Sequence, residues 1–191
     1  MGKIVVSEFV TLDGVMDDPG GVGGTKHGGW ASQFGSPDQQ QFKGEELVNA
    51  DALLLGRRTY QGFAAAWPTM EGTGWYGEKI NSMPKYVVST TLSDAEATWN
   101  ATFLKGDLAE QLPIIKQKVE NDLLIFGSGQ MVHALIAQNL IDEYRLMVFP
   151  VILGAGKRIF PEGDEMTTLK LVESKPFASG VVVLTYRPAK E

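Results

Sequence analysis

An uninterrupted aliphatic run, Ala52-Leu53-Leu54-Leu55, stops at Gly56 and leads into Arg57-Arg58-Thr59-Tyr60. A short run that is apolar at every position fits a strand buried on both faces, as in parallel sheets. The glycine lets the backbone turn sharply or lets another group approach closely. The residues after it read as a helix start, where unpaired N–H groups and the macrodipole already favour an anion. Two adjacent arginines there, in a chain of net charge −6, point to a phosphate. The pattern recurs: Asp122-Leu123-Leu124-Ile125-Phe126 closes on Gly127-Ser128-Gly129-Gln130 and leads into another helix. Buried strands that each feed a helix imply an α/β architecture, with a largely parallel sheet covered on both faces.

The other segments fit that frame. Lys3 to Thr11 reads as the first strand, and Asp13 to Gly24 as a long glycine-dense loop of the kind that is usually functional. Ser36 to Val48 reads as a helix, with Ser36 as N-cap and Pro37 at its first position. Asp51 to Leu55 is the second strand and Thr59 to Ala66 its helix, ended by Trp67-Pro68. A glycine- and aromatic-rich excursion spans Glu71 to Gly77. Lys85 to Ser89 and Ala101 to Leu104 are strands. Leu108 to Glu120 is a helix whose regular part is expected to start near Pro113. Gln130 to Gln138 is a helix and Glu143 to Pro150 a strand. Leu169 to Ser174 and Val181 to Arg187 form an antiparallel terminal pair. With no internal repeat and no linker, residues 1–191 are expected to form one domain.

Composition narrows the function. Without cysteine there are no disulfides or thiolate metal sites, and two histidines exclude a histidine-rich metal centre, so no metal is expected. Net acidity argues against a nucleic-acid binder. No apolar run approaches the roughly 18 residues of a membrane span. The first residues enter a strand-like segment without a secretory h-region. A soluble cytoplasmic protein is expected.

In a parallel sheet both glycine turns lie at strand carboxyl ends, where open α/β folds bind ligands. Each turn alone is also what a plain tight connection requires. Gly-Ser-Gly-Gln lacks the third glycine of the dinucleotide fingerprint, yet the two turns together point to a nucleotide. Val88-Ser89-Thr90-Thr91 ends the third strand in hydroxyls, which either satisfy their own backbone or complete a monophosphate pocket beside the arginines.

These blocks together resemble the dihydrofolate reductase-like fold, most closely the reductase domains of riboflavin biosynthesis and their relatives. The carriers are Thr11-Leu12-Asp13-Gly14, Leu55-Gly56-Arg57-Arg58-Thr59-Tyr60, Phe126-Gly127-Ser128-Gly129, Ile141-Asp142-Glu143-Tyr144-Arg145-Leu146 and Pro150 to Gly156 with Ile159-Phe160-Pro161. Their order and spacing are more specific than any one of them. The resemblance implies a three-layer α/β/α sandwich, with a mostly parallel sheet and an antiparallel C-terminal strand pair. It implies an NADPH-dependent reductase acting on a flat heterocycle, pterin- or ribosylaminopyrimidine-like, and a homodimer. A binding protein of the same fold without reductase activity is the alternative. The cofactor positions it implies are Gly14 and Val15 over the nicotinamide, and Gly56, Arg57, Arg58 and Thr59 with Gly127, Ser128, Gly129, Gln130 and Met131 at the phosphates. Ser89 and Thr90 match the 2′-phosphate site.

Reducing a C=N bond requires a proton for the nitrogen. Asp38 stands four residues before Phe42-Lys43, as the pterin-binding aspartate does in dihydrofolate reductases, but among unusually polar neighbours. It is equally suited to decorating a helix first turn. Asp13, in the Leu-Asp-Gly of the riboflavin-type reductases, is the competing candidate, and also a plain turn aspartate. Trp30 and Trp75, in loops, are candidates to line a pocket, whereas Trp67 reads as a packing anchor. His27 and His133 read as surface or boundary residues, and Lys157-Arg158 as a solvated turn.

Overall fold

The computed structural model describes residues 1–163 and 166–189. Its eight strands form one sheet in the order β4-β3-β2-β5-β1-β6-β8-β7. The elements run β1 (Ile4–Thr11), α1 (Pro37–Val48), β2 (Ala50–Gly56), α2 (Arg57–Ala66), α3 (Gly74–Ser82), β3 (Lys85–Val88) and β4 (Ala101–Leu104). Then come α4 (Leu108–Lys118), β5 (Asp122–Ile125), α5 (Gly129–Ala137), β6 (Glu143–Phe149), β7 (Leu169–Pro176) and β8 (Val182–Pro188). Strands β1 to β6 are mutually parallel, whereas β8 runs antiparallel to β6 and β7 antiparallel to β8.

Both faces of the central strands are covered, which is why Leu53, Leu54, Leu55, Leu123, Leu124 and Ile125 are all fully buried. Leu54, Leu123 and Ile125 share a cluster with Leu108, Leu112 and Ile115 of α4 and Met131, Val132 and Leu135 of α5. Leu53, Leu55 and Leu124 face the other way, toward Leu47 of α1, Tyr60 of α2 and Ile80 of α3. The sandwich therefore has three layers. Among the described residues no helix is long and apolar enough to cross a membrane.

Helix α1 starts as its sequence dictates: the Ser36 hydroxyl accepts the Gln39 N–H at 3.3 Å, with Pro37 next to the cap. Helix α4 is regular from Leu108 rather than from near Pro113. The Asp107 carboxylate accepts the Ala109 N–H at 2.9 Å and nucleates the first turn, so the proline is carried inside the helix. Helix α3 lies across the stretch whose glycines read as an excursion. Its buried residues, Gly77 and Ile80, anchor it against the sheet. Strand β2 pairs with β5, and β5 with β1. That order sets the two glycine turns side by side.

Candidate functional site

The turns after β2 and β5 lock into one another. The Ser128 hydroxyl accepts the Gly56 N–H at 2.9 Å, and the Ser128 N–H donates to the Thr59 hydroxyl at 3.0 Å. Ser128 is left-handed, with φ 62° and ψ 32°. Gly127 before it has φ +60°, and a Cβ there would lie 3.3 Å from the Thr59 hydroxyl. The position requires glycine both for its conformation and for the close approach of α2.

This interlock aims the N-termini of α2 and α5 at one space. Neither helix start is capped by a side chain, and neither has an acidic residue in its first turn. By contrast, α1 and α4 are both capped by side chains and carry acids. Free N–H groups and two unneutralised helix dipoles make a cradle for anions. Arg57 and Arg58 stand exposed at its rim. Neither takes part in a salt bridge among the described residues. Gln130 is exposed, whereas Met131 is buried and sets the approach of α5 to β2. The chemistry of this set fits a pyrophosphate.

At the end of β3 the Ser89 oxygen accepts the N–H groups of Thr91 at 3.2 Å and Leu92 at 3.1 Å. Ser89 is buried and shapes its own turn, leaving only its proton to offer; Thr90 is exposed. Across the sheet, the loop after β1 lies over the second glycine turn. Met16 is buried, and its Sδ sits 3.1 Å from where a Gly129 Cβ would be. The loop is held down by a bridge between Val15 and Arg158, by the Met16 N–H to the Lys157 carbonyl at 2.8 Å, and by a Lys157–Asp17 ion pair at 2.9 Å. Arg158 donates to the Asp13 carbonyl, and His133 meets the Arg158 carbonyl at 3.0 Å. Lys157 and Arg158 thus fasten the loop.

The two candidate acids occupy different places. Asp13 accepts the Thr11 hydroxyl at 2.6 Å, the Gly154 N–H at 2.8 Å and the Leu153 N–H at 3.2 Å. The Thr11 hydroxyl, together with those N–H groups, outweighs desolvation and holds its carboxyl down at about 2. Asp38 is exposed in the first turn of α1. The structure does not bring them together.

One carboxyl that the strand pattern hides is Glu8. It is 5% exposed, and its Oε1 has no hydrogen-bond partner among the described residues. Burial raises its carboxyl well above the usual range, against the Gly127 N–H and the charge of Lys43, with Glu46 adding to the rise. Beneath α1, on the opposite sheet face, runs a line of charge. Lys43 donates to Glu46 at 2.6 Å and to Ser7 at 2.8 Å. Arg145 joins Glu46 at 3.5 Å, Asp122 at 2.7 Å and Glu143 at 2.6 Å. Lys43 Nζ also lies 4.1 Å from the centre of the Phe126 ring and 5.7 Å from that of Phe9. Beside α1, Trp75 on α3 is half-exposed, its ring 3.9 Å from a Cβ built at Gly44. Trp30 proves to be core: its ring meets Phe149 edge-on at 5.2 Å and its N–H donates to the Asp17 carbonyl. A buried partner outcompetes a solvent-lined pocket for so large a ring.

Comparison with known proteins gives consistent findings. The family profile described as RibD C-terminal domain matches residues 2–183. An uncharacterized protein of Bacillus subtilis, YyaP, is 27% identical over 187 residues, spanning 96% of this chain and 94% of that one. The crystal structure of a putative riboflavin biosynthesis protein from Shewanella superposes with a TM-score of 0.77 at 22% identity, covering 98% of this chain and 99% of that one. Dihydrofolate reductase from Enterococcus faecalis, solved with NADP(H), superposes with a TM-score of 0.62 at 18% identity, covering 98% and 97%. These likenesses show a shared dihydrofolate reductase-like fold.

Proposed function

Because the chain belongs to the RibD C-terminal domain family, we propose that it is an NADPH-dependent reductase of a flat heterocycle, pterin- or ribosylaminopyrimidine-like. The observation that carries this reading is the interlock of Gly56, Thr59 and Ser128, which presents two uncapped helix N-termini to one ligand. The uncapped N–H groups at the starts of α2 and α5 hold the pyrophosphate, in turns shaped by Gly56 to Thr59 and Gly127 to Met131. Arg57 and Arg58 neutralise phosphate charge, and Ser89 and Thr90 face the 2′-phosphate. Gly14 and Val15 close over the nicotinamide. When bound, the cofactor supplies the hydride; the protein orients it and excludes water. The heterocycle lies against α1 and Phe126, where Lys43 covers an aromatic face.

A second reading is a binding protein of this fold without reductase activity. It is favoured by the two aspartates, one tied into a turn as a carboxylate and the other exposed. The chain acts as one domain on a small molecule rather than on nucleic acid. A homodimer agrees with the half-exposed Leu171 and Val172 on the edge strand β7.

Tryptophan quenching on titration with NADPH tests the shared premise. No binding at about 100 μM cofactor, a level well within ordinary enzyme ranges, would sink both readings. Binding accompanied by NADPH oxidation with dihydrofolate or a ribosylaminopyrimidine phosphate establishes the reductase. Binding without oxidation on either favours the second reading.

A further inference from the structure

Glu8 is the buried ionisable group of the cleft that neither the phosphate turns nor the charge line beneath α1 accounts for. Strand alternation places it on the face of Val6 and Val10, away from Lys43 and α1. It stands two positions beyond the Val6–Ile125 pair on one side, hence abreast of Gly127, and opposite Leu146 on the other. Its Oε1 is sealed from solvent and unpaired among the described residues. An acid left in that state costs stability unless something completes its hydrogen bonds.

The strand order says what arrives there. From Ser89 after β3, across Gly56 at the end of β2 and Gly127 after β5, to Glu8 on β1 is three strand spacings, about 14 Å. An extended dinucleotide with its 2′-phosphate at β3 and its pyrophosphate on the β2 and β5 turns reaches β1 with its nicotinamide. A carboxylate beside that anion would repel it. A neutral carboxylic acid presents one donor and one acceptor, the complement of a primary carboxamide.

Resting on the NADPH reading, we propose that Glu8 is the un-ionised acid that pairs with the nicotinamide carboxamide and so fixes the ring at the end of β1. The charged groups within electrostatic reach are Lys43 and Glu46 of α1, acting in opposite directions. Lys43 is already bound to Glu46 and Ser7. The Gly127 N–H of the β5 turn is the backbone donor acting on the carboxyl.

The test compares wild type with Glu8→Gln, which keeps a donor and an acceptor, and Glu8→Leu, which keeps neither. In the infrared difference between wild type and Glu8→Gln at neutral pH, the carbonyl stretch of one un-ionised carboxylic acid is expected. It should move to lower frequency on saturation with NADPH. Glu8→Gln should retain NADPH affinity within about twofold, while Glu8→Leu loses on the order of tenfold, the worth of the lost hydrogen bonds. Neither should change the affinity for adenosine 2′,5′-bisphosphate, which has the 2′-phosphate but no nicotinamide. Absence of the band overturns the proposal. So does equal loss of NADPH and bisphosphate binding in Glu8→Leu, the mark of structural damage. A band that stays put while NADPH binds normally overturns the carboxamide contact alone. A wild type that binds no NADPH overturns the cofactor reading and this contact together.

Discussion

Ser128 and Gly56 are separated by 72 residues of chain and joined by one hydrogen bond of 2.9 Å. The bond makes the two glycine turns into one wall. It also ties a left-handed residue of the β5 turn to the last residue of β2. Ser128→Ala leaves the Gly56 N–H without that acceptor. The expected loss is about 1–2 kcal/mol of stability, measured by urea unfolding, and a roughly tenfold weaker NADPH titration. Ser128→Gly relieves the left-handed strain but not the missing acceptor, so it should share the binding defect.

Arg57 and Arg58 are exposed at the start of α2. Arg57→Ala and Arg58→Ala should therefore leave stability within about 0.5 kcal/mol. Each should weaken NADPH more than NADH. Equal losses for both cofactors would refute a role at the 2′-phosphate. The gap between the two cofactors should narrow as salt is raised.

Asp13 has a folded-state carboxyl held at about 2, against an ordinary 3.8, chiefly by the Thr11 hydroxyl. A depressed carboxylate contributes stability that is complete above 3.8 and lost as pH falls toward 2. The advantage of wild type over Asp13→Asn in thermal midpoint should disappear across that window. Retention of the full advantage at its lower edge would contradict the hydrogen-bonded carboxylate.

Lys85 is fully buried, donates to the Asn81 carbonyl at 3.0 Å and lies 3.9 Å from the Trp99 ring centre. Burial pulls its ammonium down from 10.5 to about 8. Between those values the unfolded chain binds more protons than the folded one, so stability rises with pH. Wild type should gain on Lys85→Met as pH climbs through that interval. Parallel stability curves would show that the ammonium is not desolvated.

Arg145 is the hub of the charge line, in contact with Glu46, Asp122 and Glu143. Burial alone would raise Glu143, but Arg145 and Arg187 outweigh it and hold the carboxyl below its ordinary value. Arg145→Met leaves the buried Asp122 without its cation and takes one cation each from Glu46 and Glu143, which keep Lys43 and Arg187. A loss of about 3–5 kcal/mol in urea unfolding is expected. A near-neutral effect would mean that water reaches the line.

The sheet and both glycine turns were legible because their signals are local. An aliphatic run that stops at glycine before a helix leaves few alternatives, and Gly127 carries the positive φ that such a turn requires. Ser36 and Pro37 announced α1 for the same reason. Helix α3 escaped because Gly74 and Gly77 interrupt its pattern while tertiary contacts at Ile80 hold it in place. Glu8 escaped because one acid in an otherwise apolar strand reads as an outward-facing residue. The strands that make β1 a central strand, β5 and β6, come from segments more than a hundred residues later. Trp30 likewise depended on Phe149, which sequence distance conceals. The acid chemistry was the least legible part, since hydrogen bonds to Asp13 come from the distant Leu153 and Gly154.

Strand β5 is threaded between β1 and β2 although it is made long after both. A growing chain therefore carries a gap in the middle of its sheet until Ile125 emerges, and no partial product can own the cradle. Such long-range closure slows folding relative to locally connected folds. It also makes ligand affinity a direct gauge of completed folding, because any species that binds must already have inserted its central strand. In a refolding experiment the recovery of NADPH quenching should then trace the last cooperative step and not an early collapse.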